Sequence, residues 1–146
     1  MPSLSEFLSI GRGQVRALLL HPGRREDPIV GTLGSGPLAK VPNFSALSYT
    51  WGLRTNDKTI EIRGLGTIEV TDNLFSALQT LRHETMASWI WVDALCIDQK
   101  NEEEKDEQVL FMRQIYAKAA RVQIWLGEES EEALKAIKFM QEVASG

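Results

Sequence analysis

The chain has 146 residues, 43% of them apolar and 25% charged, which is the composition of one globular domain with a real core and not of a disordered or fibrous segment. A net charge of −4 argues against non-specific nucleic-acid binding, and no run approaches the ~20 apolar residues of a membrane span. The one cysteine, Cys96, excludes an internal disulfide, and the opening MPSLSEFLSIGRG has no basic start followed by an apolar stretch, so a reducing, cytoplasmic location is expected.

Residues 1–13 carry no strong pattern and read as an N-terminal arm, and 14–146 read as one α/β domain. Gln14 to His21 (QVRALLLH) is a first strand, stopped by Pro22-Gly23. The polar stretch that follows contains Gly31-Thr32-Leu33-Gly34-Ser35-Gly36, which invites a phosphate-loop reading. It lacks the Gly-Lys-Ser/Thr ending and leads into no helix, so a plain loop is expected. Phe44 to Trp51 is a second buried strand, stopped by Gly52. Thr59 to Val70 alternates as Ile60-Glu61-Ile62 and Ile68-Glu69-Val70 around Gly64 and Gly66, the pattern of a small half-exposed hairpin. A helix capped by Thr71, Asp72 or Asn73 puts Leu74, Ala77, Leu78 and Leu81 on one face.

Trp89 to Asp98 (WIWVDALCID) reads as a central strand covered on both faces, with Asp93 inside it and Asp98 closing it. A carboxylate there must be hydrogen-bonded, paired or facing a cleft. Lys100 to Glu107 is the charged entry to a second helix, whose apolar stripe is Val109, Met112, Ile115, Tyr116 and Ala119. Glu102 to Glu104 suit its positive N-terminal end. Val122 to Leu126 is a further strand closed by Gly127, and a last helix starts near Ser130.

Strands alternating with helices from Phe44 onward predict parallel pairing through right-handed crossovers, and an open, mostly parallel sheet with helices on its faces and the hairpin as an insertion. Ligands of such sheets bind beyond the carboxyl ends of the strands. Those ends gather Tyr49, Trp51 and Gly52, then Asp93 or Asp98 with Gln99, then Trp125, Gly127 and Glu128, with Glu104 and Gln108 of the second helix at the same rim.

Three blocks of residues carry a family resemblance. Ala46-Leu47-Ser48-Tyr49-Thr50-Trp51-Gly52 resembles the first signature block of the fungal heterokaryon-incompatibility (HET) domain. Asn73-Leu74, Ala77-Leu78 and Leu81-Arg82, with Trp91 to Gln99, resemble the second. Gln108-Val109, Met112, Ile115-Tyr116, Ala119 and Trp125-Leu126-Gly127 resemble the third. The match runs from about Val15 to Gly127 with order and spacing kept. One departure is Glu104-Lys105 where the family usually has Glu-Arg, which keeps the charge but loses a planar fork for carboxylates. Because family proteins usually continue well beyond the third block, an excised domain or a shortened member is expected.

The resemblance implies a signalling domain of fungal non-self recognition and programmed cell death, working by self-association or partner binding. It also implies a distant likeness to Toll/interleukin receptor (TIR) domains, and hence a TIR-like or flavodoxin-like fold. Some TIR domains cleave NAD, so NAD is a candidate substrate and an NAD glycohydrolase is the alternative function. Cleavage of the nicotinamide–ribose bond passes through an oxocarbenium-like state that a single placed carboxylate stabilises. Glu104, Asp93 and Glu128 are the candidate catalytic carboxylates, with Tyr49, Trp51 and Trp125 available for stacking. Cys96 has no histidine beside it in sequence and reads as an inert buried thiol. With His21 and His83 it makes a poor zinc set, so no metal is expected.

Overall fold

β1 (Gln14–Leu20) is the strand around which the sheet is laid down. A computed structural model describes residues 8–49 and 58–125. In β1, Val15, Ala17, Leu18 and Leu20 are all buried, so both faces of the strand are covered. It lies fourth in a seven-stranded sheet of order β5-β4-β2-β1-β6-β3-β7. The other strands are β2 (Val30–Pro37), β3 (Phe44–Tyr49), β4 (Lys58–Ile62), β5 (Gly66–Val70), β6 (Ser88–Trp91) and β7 (Arg121–Trp125).

The expected parallel trio is present. β3 pairs in parallel with β6, Ala46 opposite Trp91, and in parallel with β7, Ala46 opposite Val122. The rest of the sheet corrects the mostly parallel expectation. β1 is antiparallel to both β2 and β6, β4 is antiparallel to β5, and β2 and β4 are parallel, so three of six pairings are antiparallel. Short connections permit antiparallel neighbours, whereas each parallel pair needs a long crossover. The hairpin β4–β5 is no insertion either: the Glu61 and Arg63 amides donate to the Ile29 and Gly31 carbonyls, which adds it to the sheet beside β2. Its tight end uses Gly64 and Gly66, both at positive φ.

A second correction concerns the Gly-rich stretch, which is strand β2 and not a loop. Its glycines admit neighbours that a side chain would exclude. A Cβ on Gly31 would lie 2.6 Å from Leu18 Cδ1, and one on Gly34 3.2 Å from Trp89 Cη2. Composition marks such a segment as a turn, but close packing across the sheet makes it a strand.

The third correction is at the centre of the sequence. The apolar run stops being a strand at Trp91, and Asp93–Cys96 forms a single helical turn, α2. The Cys96 amide donates to the Val92 carbonyl and the Ile97 amide to the Asp93 carbonyl. Leu95, Cys96, Ile97 and Asp98 are buried all the same. Burial of a short run does not distinguish strand from helix.

α1 (Asp72–Leu81) is capped by Thr71, whose Oγ1 accepts the Leu74 amide at 3.2 Å, and it buries Leu74, Ala77 and Leu78. α3 (Glu102–Lys118) is capped by Asn101, whose Oδ1 accepts the Glu104 amide at 3.1 Å. Its buried residues are Gln108, Ile115 and Tyr116, while Met112 and Ala119 pack at the margin of the core. Val109, expected in the stripe, is 53% exposed beside Leu110 at 82%. The α3 stripe is therefore narrower than its apolar residues suggest. Residues 1–7 of the arm, Leu126 and the helix expected from Ser130 lie outside the described residues.

Candidate functional site

β1 runs antiparallel to β6, so its start, with Arg16, lies at the end of the sheet where β6 finishes and α2 begins. Arg16 is fully buried. A guanidinium without water must find both counter-charge and acceptors. Glu104 in the first turn of α3 supplies the charge through two parallel bonds, Nη1 to Oε2 and Nη2 to Oε1, each 2.7 Å. The Cys96 carbonyl accepts from Nη1 at 3.2 Å, and the Leu8 carbonyl accepts from Nε at 2.9 Å. This two-pronged geometry is the strong form of an ion pair.

Glu104 also reaches the chain after α2, where its Oε2 accepts the Asp98 amide at 2.5 Å. Asp98, 3% exposed, turns its own carboxylate inward along the chain, where Oδ1 accepts the Lys100 amide at 3.0 Å. Gln99 donates through Nε2 to the Asp93 carbonyl at 3.0 Å and folds back over α2. One turn along α3, the Glu107 carboxylate accepts the Gly13 amide and Gln108 Nε2 donates to the Gln14 carbonyl at 2.9 Å. Gln108 is 1% exposed, and among the described residues its Oε1 has no hydrogen-bond partner, nor does the Nε1 of Trp91. Trp91 meets Tyr116 edge to face, with centroids 5.7 Å apart.

Asp93 opens α2. Burial raises its pKa, with the backbone amides of Ala94 and Asp93 itself pulling the other way. Burial also raises the Tyr116 hydroxyl, and the nearby Asp93 charge adds to that. The Cys96 thiol is pushed up to about 12, again by burial, although the Val92 backbone and the Arg16 charge favour the thiolate. A thiol in that state is no nucleophile at neutral pH.

Of the residues expected at the rim, the structure brings Asp98 and Glu104 into direct contact and sets Gln99 on the Asp93 backbone. Gln108 lies on β1 instead, holding Gln14. Tyr49 and Trp125 are register partners at the carboxyl ends of β3 and β7. Trp51, Gly52, Gly127 and Glu128 lie outside the described residues.

Arg16 is the residue that sequence reasoning missed, although a lone arginine in QVRALLL was a signal that a buried partner had to exist. It supplies the guanidinium that meets Glu104, and Lys105 does not. That lysine is exposed, and the planar fork on Glu104 comes from β1. Arg82 is a second missed anchor. It is 8% exposed and donates to the Pro28 carbonyl at 2.9 Å, to the Asp27 carbonyl at 3.1 Å and to the Arg24 carbonyl, which fastens the β1–β2 connection.

The family model described as "Heterokaryon incompatibility protein (HET)" matches residues 44–145. The chain is 30% identical to Heterokaryon incompatibility protein 6, OR allele, of Neurospora crassa, over 95% of this chain and 22% of that protein. It is 28% identical to Vegetative incompatibility protein HET-E-1 of Podospora anserina, over 66% of this chain and 7% of that protein. The chain thus spans about a fifth of the first relative's length and less of the second's. No solved structure matches it. Among the described residues no helix is long and apolar enough to cross a membrane.

Proposed function

The chain belongs to the heterokaryon-incompatibility family, and on that premise we propose that it is a recognition domain of fungal non-self discrimination that acts by self-association or partner binding and so promotes cell death. The observation that carries this reading is how the rim carboxylates are used. Glu104 holds Arg16 and the Asp98 amide, and Asp98 holds its own turn, so these acids secure β1, α2 and α3 to one another. Groups committed in this way are poorly placed to meet a substrate. The outward surface of α3 offers a contact instead: Val109 and Leu110 stand exposed side by side. Adjacent exposed apolar side chains on a charged helix suit protein binding. β7 also has only β3 as a strand neighbour among the described residues, and an open edge favours pairing with another chain.

Sedimentation across a wide concentration range tests the proposal. We expect a rise in mass with concentration, abolished by Val109→Lys with Leu110→Lys at unchanged helix content. A chain that stays monomeric and binds no copy or partner through this face overturns it.

The second reading, cleavage of NAD, draws on one observation. Asp93 sits at the carboxyl end of β6, where a carboxylate would face an oxocarbenium-like state, although its burial disfavours the charged form that this role needs. NAD consumption by the chain, lost in Asp93→Asn without loss of folding, would favour that reading over the first.

A further inference from the structure

The Gly-rich run in β2 takes no part in the rim, yet it shapes a hollow of its own. Val15 and Ala17 of β1 lie on one face of the sheet, and their cross-strand partners on β2 are Gly36 and Gly34. Leu19 pairs with Trp89 of β6, so the indole belongs to the same face. Two successive partners without side chains place no Cβ beside Val15 and Ala17, next to a half-buried tryptophan. Trp89 reaches over Gly34, but a Cβ on Gly36 would meet nothing within 4 Å. From Pro37 the chain crosses toward β3 through a short 3-10 turn (Leu38–Lys40), and this crossing walls a cavity of about 290 Å³. That is close to the lower bound, ~300 Å³, of ligand-binding pockets.

The lining is apolar apart from Ser35 and Lys40, and the described lining includes no acid. Lys40 on the wall is exposed, and Lys118 donates to the Ala39 carbonyl next to it in the chain. We propose that this cavity is a binding site for a small ligand with a flat apolar body and an anionic group, of the aryl-carboxylate class. The body lies against Trp89 and over Gly36, and the carboxylate meets the Lys40 ammonium. The bare floor accounts for the flat shape, the indole for an aromatic partner, and the cationic wall for the charge. The site adjoins the rim through Val15, which lies between Gln14 and Arg16 on β1, but it shares no lining side chain with the Arg16–Glu104 clasp.

Titration of the chain with 2-naphthoate, followed by amide and indole resonances, tests this. Saturable shifts are expected at Gly34, Gly36 and the Trp89 indole. Gly36→Leu, which fills open space at a position without positive φ, should weaken binding at least tenfold at an unchanged or raised Tm. Lys40→Gln, a surface change, should weaken 2-naphthoate severalfold and leave neutral 2-naphthol unaffected. Absence of saturable shifts, equal binding by either variant, or shifts confined to another face would overturn the proposal. So would shifts at these residues that depend on protein concentration alone, which would assign the hollow to a second copy.

Discussion

Glu104 and Asp93 are carboxylates at the same end of the sheet, each in the first turn of its helix, and they live in different electrostatic worlds. Glu104 faces a buried guanidinium across two 2.7 Å bonds, so the charge of each partner is compensated. Asp93 is held by backbone amides, and burial dominates, so its charged form is disfavoured. What separates them is the group each one meets. Burial of an acid therefore says nothing of its role until its partner is known: with a cation it is a clasp, and with amides alone it is a group under titration pressure.

The largest effect expected from breaking this contrast is at Arg16. Arg16→Ala strands Glu104 next to the buried Cys96 carbonyl and should cost about 3–5 kcal/mol, the range for removing one partner of a buried pair. Urea unfolding measures it. The double replacement Arg16→Met with Glu104→Met should recover most of that loss, because no unpaired charge remains. A double variant as unstable as the single one would show that the clasp acts through shape and not through charge.

A smaller effect is expected at the cap that positions Glu104. Asn101→Ala removes the acceptor of the Glu104 amide and should cost about 1 kcal/mol in the same experiment. The Arg16 and Asn101 losses should not add, since both loosen the first turn of α3.

The smallest effect is at Asp93 and shows as a change of slope with pH. Its folded pKa lies above the unfolded value, so the stability it contributes is fully present below the unfolded pKa, ~3.9, and is lost as pH rises through the raised folded pKa. Asp93→Asn removes that loss. The variant should gain on the parent chain as pH climbs through this window and level off above it, as read by Tm against pH. Parallel curves would mean that Asp93 is better solvated than its burial indicates.

Part of this architecture was legible in the residues alone. The spacing of Leu74, Ala77, Leu78 and Leu81 specified α1, with Thr71 one of three candidate caps and the one the structure uses, and the alternation on either side of Gly64 specified the β4–β5 hairpin. Apolar runs at 44–51, 89–98 and 122–126 specified the parallel trio, although the second stops being a strand at Trp91. These are short-range signals, because a cap, a turn or a stripe is set by residues a few positions apart.

What the tertiary structure decided lies across long separations. Arg16 finds Glu104 88 residues away, and no local pattern encodes that meeting. The glycines of β2 admit Leu18 close to Gly31 and Trp89 close to Gly34, a fact about neighbours and not about β2 itself. Asp93 starts a helical turn where periodicity read a continuing strand, since buried residues look alike in either conformation and the choice falls to backbone bonds to Val92 and Asp93. Sequence by itself determined which segments are apolar and how they begin. Packing alone determined which strands became neighbours and which carboxylate acquired a cation, because both are set where distant segments exclude water together.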